Sequence, residues 1–261
     1  MKYGFIGCGN MGGAIAKALA RNTTDILLAD HDQNKAETLA NALSCKVGSN
    51  EDAAACDRLF LAVKPQMMGA MLEKIRPVLQ ERRPLLITMA AGLTMARIEE
   101  MAGGNLPVIR IMPNTPVSVG KGMILYSCNK QVTPAMEQSF VSDLSFAGML
   151  DPIEEKLIDA GCSLQGCGPA YMYLFLEALA DGAVACGLPR DKALTYAAAT
   201  MAGAAELALT SGKHPGQLKD EVCSPGGSTI MGVKALEDGG LRAAAIAAVQ
   251  AAFKKNKELG K

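Results

Sequence analysis

The chain has 261 residues, 26 Lys and Arg against 26 Asp and Glu, and 49% hydrophobic residues. That balance excludes the basic footprint of a nucleic-acid binder or a membrane-surface binder, and the length allows one large domain or two modest ones. Eight scattered Cys without a C-x-x-C pair, and only His31 and His214, exclude a zinc constellation and point to free thiols in a reducing compartment.

The first residues run as a short apolar strand into Gly7, Gly9 and Gly12, spaced G-x-G-x-x-G. Apolar residues at helical spacing follow at once. A glycine triplet between a strand and a helix is the dinucleotide-binding fingerprint. Gly7 allows the tight turn, Gly9 leaves room for a pyrophosphate, and Gly12 lets the helix pack on the strand. The helix N-terminus offers free N–H groups to the phosphates. The start also lacks the basic-then-apolar pattern of a signal peptide, which gives the expectation of a soluble cytoplasmic protein.

Strand and helix then alternate. Strands are expected at 26–30, 45–47, 58–63, 85–88, 108–111 and 122–127. Helices are expected at 34–42, 52–56, 67–79, 94–102 and 133–146, with Thr94 an N-cap and Pro134 at a first helical position. The pattern predicts an α/β fold with a doubly wound, Rossmann-type sheet. Ligands of such sheets bind beyond the carboxyl ends of the strands. The candidates are therefore Gly7 to Gly12, Asp30 and His31, Ala62-Val63-Lys64-Pro65, Ala91-Gly92, and Asn114 between Pro113 and Pro116. An acid at position 30 suits a ribose hydroxyl and NADH. His31 and Lys35 beside it suit a 2′-phosphate and NADPH. The choice stays open on these residues.

Near Asp151-Pro152 the strand signals stop, which divides the chain into a cofactor domain, 1–152, and a helical domain, 153–261. Helices are expected at 153–160, 169–186, 191–210, from Ser228, and at 241–259. The second is apolar on most faces and must be buried, so an intertwined homodimer is expected. Its Glu177 and Asp181 argue against a membrane span. His214 beside Pro215 reads as a capping residue. Ser224-Pro225-Gly226-Gly227-Ser228-Thr229 makes a sharp loop that starts a helix with free N–H groups and two hydroxyls. The loop suits a small carboxylate, or is a plain capped helix.

Taken together these stretches resemble pyrroline-5-carboxylate reductases along the whole chain. The resemblance rests on Phe5 to Gly12, Ala62 to Pro65, Ala90-Ala91-Gly92, Met112 to Pro116, Gly168-Pro169-Ala170-Tyr171, 177–182, 187–190, His214-Pro215, Leu218-Lys219-Asp220 and Ser224 to Gly227. It implies a Rossmann-type domain plus an all-helical C-terminal dimerisation domain. It also implies reduction of the cyclic imine 1-pyrroline-5-carboxylate to L-proline with NADPH, or NADH, in homodimers that assemble further into decamers. By the resemblance, Ile6, Gly7, Cys8, Gly9, Asn10, Met11, Asn50 and Ala62 to Pro65 contact the cofactor. Ser224 to Thr229 hold the substrate carboxylate, and the Thr229 hydroxyl points at the ring nitrogen. The chain departs from the family at Cys162-Ser163-Leu164-Gln165-Gly166-Cys167, where Gln165 is the largest exchange.

Two rivals remain at this stage. A β-hydroxyacid-type carbonyl reductase would place a Lys acid on the helix after Gly168-Pro169, and none is present through Leu188. A non-catalytic nucleotide sensor would not need the hydroxyls of Ser228 and Thr229.

Overall fold

The computed structural model describes residues 1–259. They form two compact units: residues 1–167 with the chain from Ala252 onward, and residues 168–251.

The first unit is built on one eight-stranded sheet. Its strands are β1 (Tyr3–Ile6), β2 (Ile26–Ala29), β3 (Lys46–Val47), β4 (Arg58–Leu61), β5 (Leu85–Thr88), β6 (Val108–Met112), β7 (Gly122–Cys128) and β8 (Gly148–Pro152). Their spatial order is β3-β2-β1-β4-β5-β6-β7-β8. The strands from β3 to β6 pair in parallel. Parallel neighbours need crossovers, and the helices α1 (Asn10–Leu19), α2 (Gln33–Leu43), α3 (Asn50–Ala54), α4 (Pro65–Arg82) and α5 (Met95–Met101) supply them. The connection runs outward from β1 to β2 and then crosses back to β4, so the crevice at the strand ends opens between β1 and β4.

Both faces of the sheet are covered. On one, Phe5 and Phe60 stack at 4.3 Å between ring centroids, beside buried Ile15 and Leu19 of α1. On the other, Met68, Leu72 and Ile75 of α4 and Ile98 of α5 pack on Leu59, Leu61 and Leu86. Burial on both faces explains why these strands read as unbroken apolar runs.

The sheet differs from the expected pattern at its far side. β7 runs antiparallel to β6, and β8 pairs in parallel with β7. The link at residues 113–121 is shorter than the dozen or so residues a crossover needs; it forms a 3-10 turn, Thr115–Val119, and reverses the chain. β8 was not foreseen because Asp151 and Pro152 are poor strand residues. An edge strand tolerates both. The helix expected at 133–146 is α6 (Pro134–Asp143), with Thr133 its N-cap and Pro134 at its start.

The last strand ends at Pro152, and the compact unit continues through α7 (Ile158–Gln165), past the boundary expected at 152. Arg110, 3% exposed on β6, draws it in, with Nη1 3.3 Å from Glu155 and Nη2 3.2 Å from Asp159. Ile158 packs with Met112 and Leu125. Asn256 donates to the Asp159 carbonyl at 3.3 Å and to Ser163 Oγ at 3.2 Å, which places the end of the chain in the same unit.

The second unit holds α8 (Gly168–Ala185), α9 (Arg190–Ser211), α10 (Pro215–Val222), α11 (Ser228–Asp238) and the first part of α12 (Leu241–Leu259). α8 packs along α9, and Gly187 at φ +97° ends the first of them. The helix α10 was missed in the sequence. It is capped by His214, whose Nδ1 accepts from the Gly216 N–H at 3.1 Å. α8 is apolar on most faces, yet the chain alone does not bury it: Ala180 is its buried residue, and Met172, Tyr173 and Leu174 are 50%, 61% and 68% exposed. Among the described residues no helix is long and apolar enough to cross a membrane.

Arg110 is the buried cation of the α7 junction, and truncating it strands two carboxylates. Arg110→Ala is expected to lower unfolding free energy by about 3 kcal/mol. Chemical denaturation checks this, and a change within the error of a surface mutation would show that the junction is held without the ion pairs.

Candidate active site

The glycine loop follows β1 directly. Gly7 has φ +107°, and a Cβ there would stand 2.6 Å from the Ala62 carbonyl oxygen. Gly12, buried in the first turn of α1, would drive a Cβ into the Gly7 carbonyl oxygen and to 2.8 Å from the Ala62 Cβ. These two glycines press α1 against β1 and the end of β4. Gly9 is different: a Cβ there would meet nothing within 4 Å. Gly9 is also the N-cap of α1 and provides no side-chain hydrogen bond to it. The result is an open, uncapped helix N-terminus with room in front of it, as a dinucleotide pyrophosphate requires.

Beside this loop a cleft of about 370 Å³ is lined by Ile6, Gly7, Asp30, His31, Asn50 and Val63, with Gln66, Met67 and Lys74 of α4. Six residues named from the sequence thus come together. The rest of the lining, these three α4 residues with Ala70 and Met71, carries weak sequence signals, since all five lie inside a helix and only the fold turns them to the strand ends. An adjoining cleft of about 350 Å³ holds Cys8, Gly9 and Asn10 together with Lys17, Lys35 and Ser118. Asn50 is the first residue of α3, and Ser49 caps that helix. Ser49 Oγ accepts the Asp52 N–H at 3.1 Å, and Asp52 accepts the Ser49 N–H at 2.9 Å. The Ser49 N–H, and then the Ser49 hydroxyl, which donates to Asp52 Oδ2 at 2.9 Å, hold the Asp52 carboxyl below its ordinary range. Lys64 is the N-cap of α4 and Pro65 its first residue. Ala91 and Gly92 form the turn after β5, with Gly92 at φ +77°.

Two expected cofactor residues are tied into the framework. Asp30 has a side chain 6% exposed. Its Oδ2 accepts the Cys8 N–H at 2.6 Å, and its Oδ1 accepts the Asp32 N–H at 2.9 Å. His31 Nδ1 lies 2.9 Å from the same Oδ1. Asn114 is 8% exposed. Its Oδ1 accepts the Met123 N–H at 2.9 Å, and its Nδ2 donates to the Gln165 carbonyl at 3.0 Å. Gln165 Nε2 in turn donates to the Met112 carbonyl at 2.9 Å. The residue that departs most from the family pattern therefore pins α7 to the end of β6.

Cys8 is half buried, and burial, then the charge of Asp30, pushes its thiol up to about 12. It is a packing thiol in the loop, not a nucleophile.

In the second unit Ser224, Pro225 and Gly226 form a tight turn in which the Gly227 N–H donates to the Ser224 carbonyl at 3.0 Å, with Gly226 at φ +70°. Gly227 is the N-cap of α11 and gives it no side-chain bond. Ser228 and Thr229, the first two helical residues, are exposed. This is a second uncapped helix start, flanked by hydroxyls and suited to a small anion.

The sheet order, the glycine loop and the open helix start define a Rossmann-type dinucleotide-dependent oxidoreductase with a helical second part. Comparison with known proteins narrows this. A family model described as pyrroline-5-carboxylate reductase dimerisation matches residues 155–259, and one described as NADP oxidoreductase, coenzyme F420-dependent, matches residues 2–92. The pyrroline-5-carboxylate reductase of Pisum sativum is 41% identical, over 98% of this chain and 95% of that protein. The structure of a pyrroline-5-carboxylate reductase from Coxiella burnetii superposes with a TM-score of 0.91 at 33% identity, covering 100% of this chain and 98% of that one. The Plasmodium falciparum pyrroline carboxylate reductase, solved with NADP bound, gives a TM-score of 0.88 at 34% identity, covering 100% and 98%. The chain belongs to the pyrroline-5-carboxylate reductase family, and its cofactor is NAD(P)H.

The two glycines separate folding from binding. Gly12→Ala is expected to lower stability by about 1–3 kcal/mol, since backbone must move to admit the methyl group. Gly9→Ala is expected to leave the melting temperature unchanged while weakening NADP(H) binding. Thermal melts and a fluorescence titration with NADPH read the two effects. For the thiols, iodoacetamide at pH 8 should modify exposed Cys186 well before Cys8, which peptide mapping by mass spectrometry would check.

Proposed function

We propose that the chain reduces 1-pyrroline-5-carboxylate to L-proline, the last step of proline biosynthesis, with NADPH favoured over NADH. The observation that carries this is the second uncapped helix start, Ser224 to Thr229, in a chain similar over its whole length to reductases of that substrate. A carboxylate on the substrate meets the free N–H groups and positive end of α11. The protonated ring nitrogen donates a hydrogen bond to Thr229 Oγ1. An imine nitrogen is protonated in water far more readily than a ketone oxygen, so the substrate arrives as an electrophile. This reading accounts for a helix α8 that carries no Lys: the reaction needs positioning more than it needs an acid.

The cofactor, when bound, supplies a hydride to the imine carbon. The chain holds it through the α1 N-terminus and the residues around Gly9. The proton already on the substrate nitrogen stays there, so product leaves as an amine without a protein group changing charge.

The exposed apolar length of α8, in a chain whose family model is one of dimerisation, supports a homodimer. Assembly of such dimers into decamers, and a cytoplasmic location, complete the reading.

One assay tests the reaction: oxidation of NADPH and of NADH with 1-pyrroline-5-carboxylate, beside a panel of 2-keto and 3-keto acids. Turnover of ketoacids without turnover of the imine would overturn it. Thr229→Ala is expected to keep the fold and the cofactor affinity and to lower kcat/KM by a factor equivalent to about 1–3 kcal/mol. Unchanged kinetics would remove Thr229 from the mechanism.

A further inference from the structure

The acidic residue at the end of β2 sits where a dinucleotide fold offers a carboxylate to the adenosine ribose, but its geometry here serves something else. Asp30 spends three of its roughly four lone-pair sites on protein donors: the Cys8 N–H at 2.6 Å, the Asp32 N–H at 2.9 Å and His31 Nδ1 at 2.9 Å. Its side chain is 6% exposed, while that of His31 is 74% exposed. The shortest of the three bonds ends on Cys8, the residue between Gly7 and Gly9. Cys8 is otherwise held by packing, with its Sγ 3.7 Å from the Ala29 carbonyl. The carboxylate thus joins the glycine loop to the turn after β2 from within.

We infer that Asp30 is a positioning residue for the pyrophosphate loop, and that the 2′ end of the adenosine is read instead by two donors of the same cleft, the His31 imidazole and the Lys74 ammonium. His31 is oriented by its Nδ1 contact to Asp30, which leaves Nε2 on the opposite side of an exposed ring. Lys74 comes from the third turn of α4 and lines the cleft with His31 and Asn50. The Cys8 and Asp32 N–H groups and His31 Nδ1 occupy most of the Asp30 acceptor capacity, while the Lys74 ammonium attracts a 2′-phosphate and the His31 imidazole can hydrogen-bond it. A 2′-hydroxyl gains little from either. The arrangement makes loop geometry common to both cofactors and assigns the choice between them to residues at the mouth of the cleft. It rests on the reading of the cleft as a NAD(P)H site.

The test measures dissociation constants for NADPH and NADH by fluorescence titration without substrate, so it does not depend on which imine is reduced. Asp30→Ser and Asp30→Asn are expected to weaken both cofactors by a common factor of about ten, the loss of a charge-assisted bond to the loop, with the NADPH to NADH ratio unchanged. His31→Ala and Lys74→Ala, at solvent-facing positions, are expected to keep the melting temperature and to lower that ratio by weakening NADPH alone. Asp30 variants that lose NADH and gain NADPH would show a ribose ligand and overturn the inference. So would His31 and Lys74 variants with an unchanged ratio, and those two remain informative if an Asp30 variant fails to fold. Tight cofactor binding in a wild type that turns over no imine would instead count against the proposed reaction and leave the inference standing.

Discussion

The first unit depends on how closely α1 approaches β1. The approach is possible only because Gly12 has no side chain to strike the Gly7 carbonyl and the Ala62 methyl. With the helix that near, its N-terminus lies over the ends of β1 and β4, and the crevice between them becomes a site for phosphate. Each neighbour then adds a constraint. Gly4 lies against the Ala53 backbone so closely that no Cβ fits, which seats α3, and with it Asn50, beside the loop. Asp30 reaches across from β2 to hold the Cys8 N–H. The site is therefore a product of close backbone approach first and of side-chain chemistry second.

The far side of the sheet follows a different logic. Arg110 on β6 is a charge within an otherwise apolar strand, and its burial is tolerable only with Glu155 and Asp159 beside it. Those two carboxylates lie on the segment that leaves the sheet. The ion pairs, with Asn114 and Gln165 pinning the ends of β6 and α7, make the first helix after the strands part of the cofactor unit. Asn114 sits at a strand end, where ligand contacts are expected, yet its amide is used to keep the turn in place.

Much of this was legible in the sequence where one residue type has one physical use. The glycine spacing, the apolar strands and the caps at Thr94 and Thr133 fall where sequence rules put them. Six residues of the cleft follow from the glycine spacing, the strand ends and the family resemblance. What escaped was decided by partners distant in the chain. β8 is a strand because β7 lies beside it, not because Gly148–Pro152 favours one. Lys74 reads as an ordinary helical surface residue until the fold brings it to His31. The helix α10 hid behind His214-Pro215, a pair that reads as an ending and serves as a beginning.

Asp30 is the hardest residue to read, since its identity and position fit a ribose ligand while donors of the fold use most of its carboxylate. A carboxylate can face outward to a sugar or inward to backbone donors, and sequence carries no sign of the direction. The direction is set by what the neighbouring loop lacks. The glycines at positions 7 and 9 give the loop no side chains with which to hold itself, and α1 offers its N–H groups to a ligand instead of to a cap. A loop left open for phosphate needs a fixed acceptor beneath it, and the end of β2 is the adjacent strand. The same glycines that make room for the cofactor thus create the need for a buried acid.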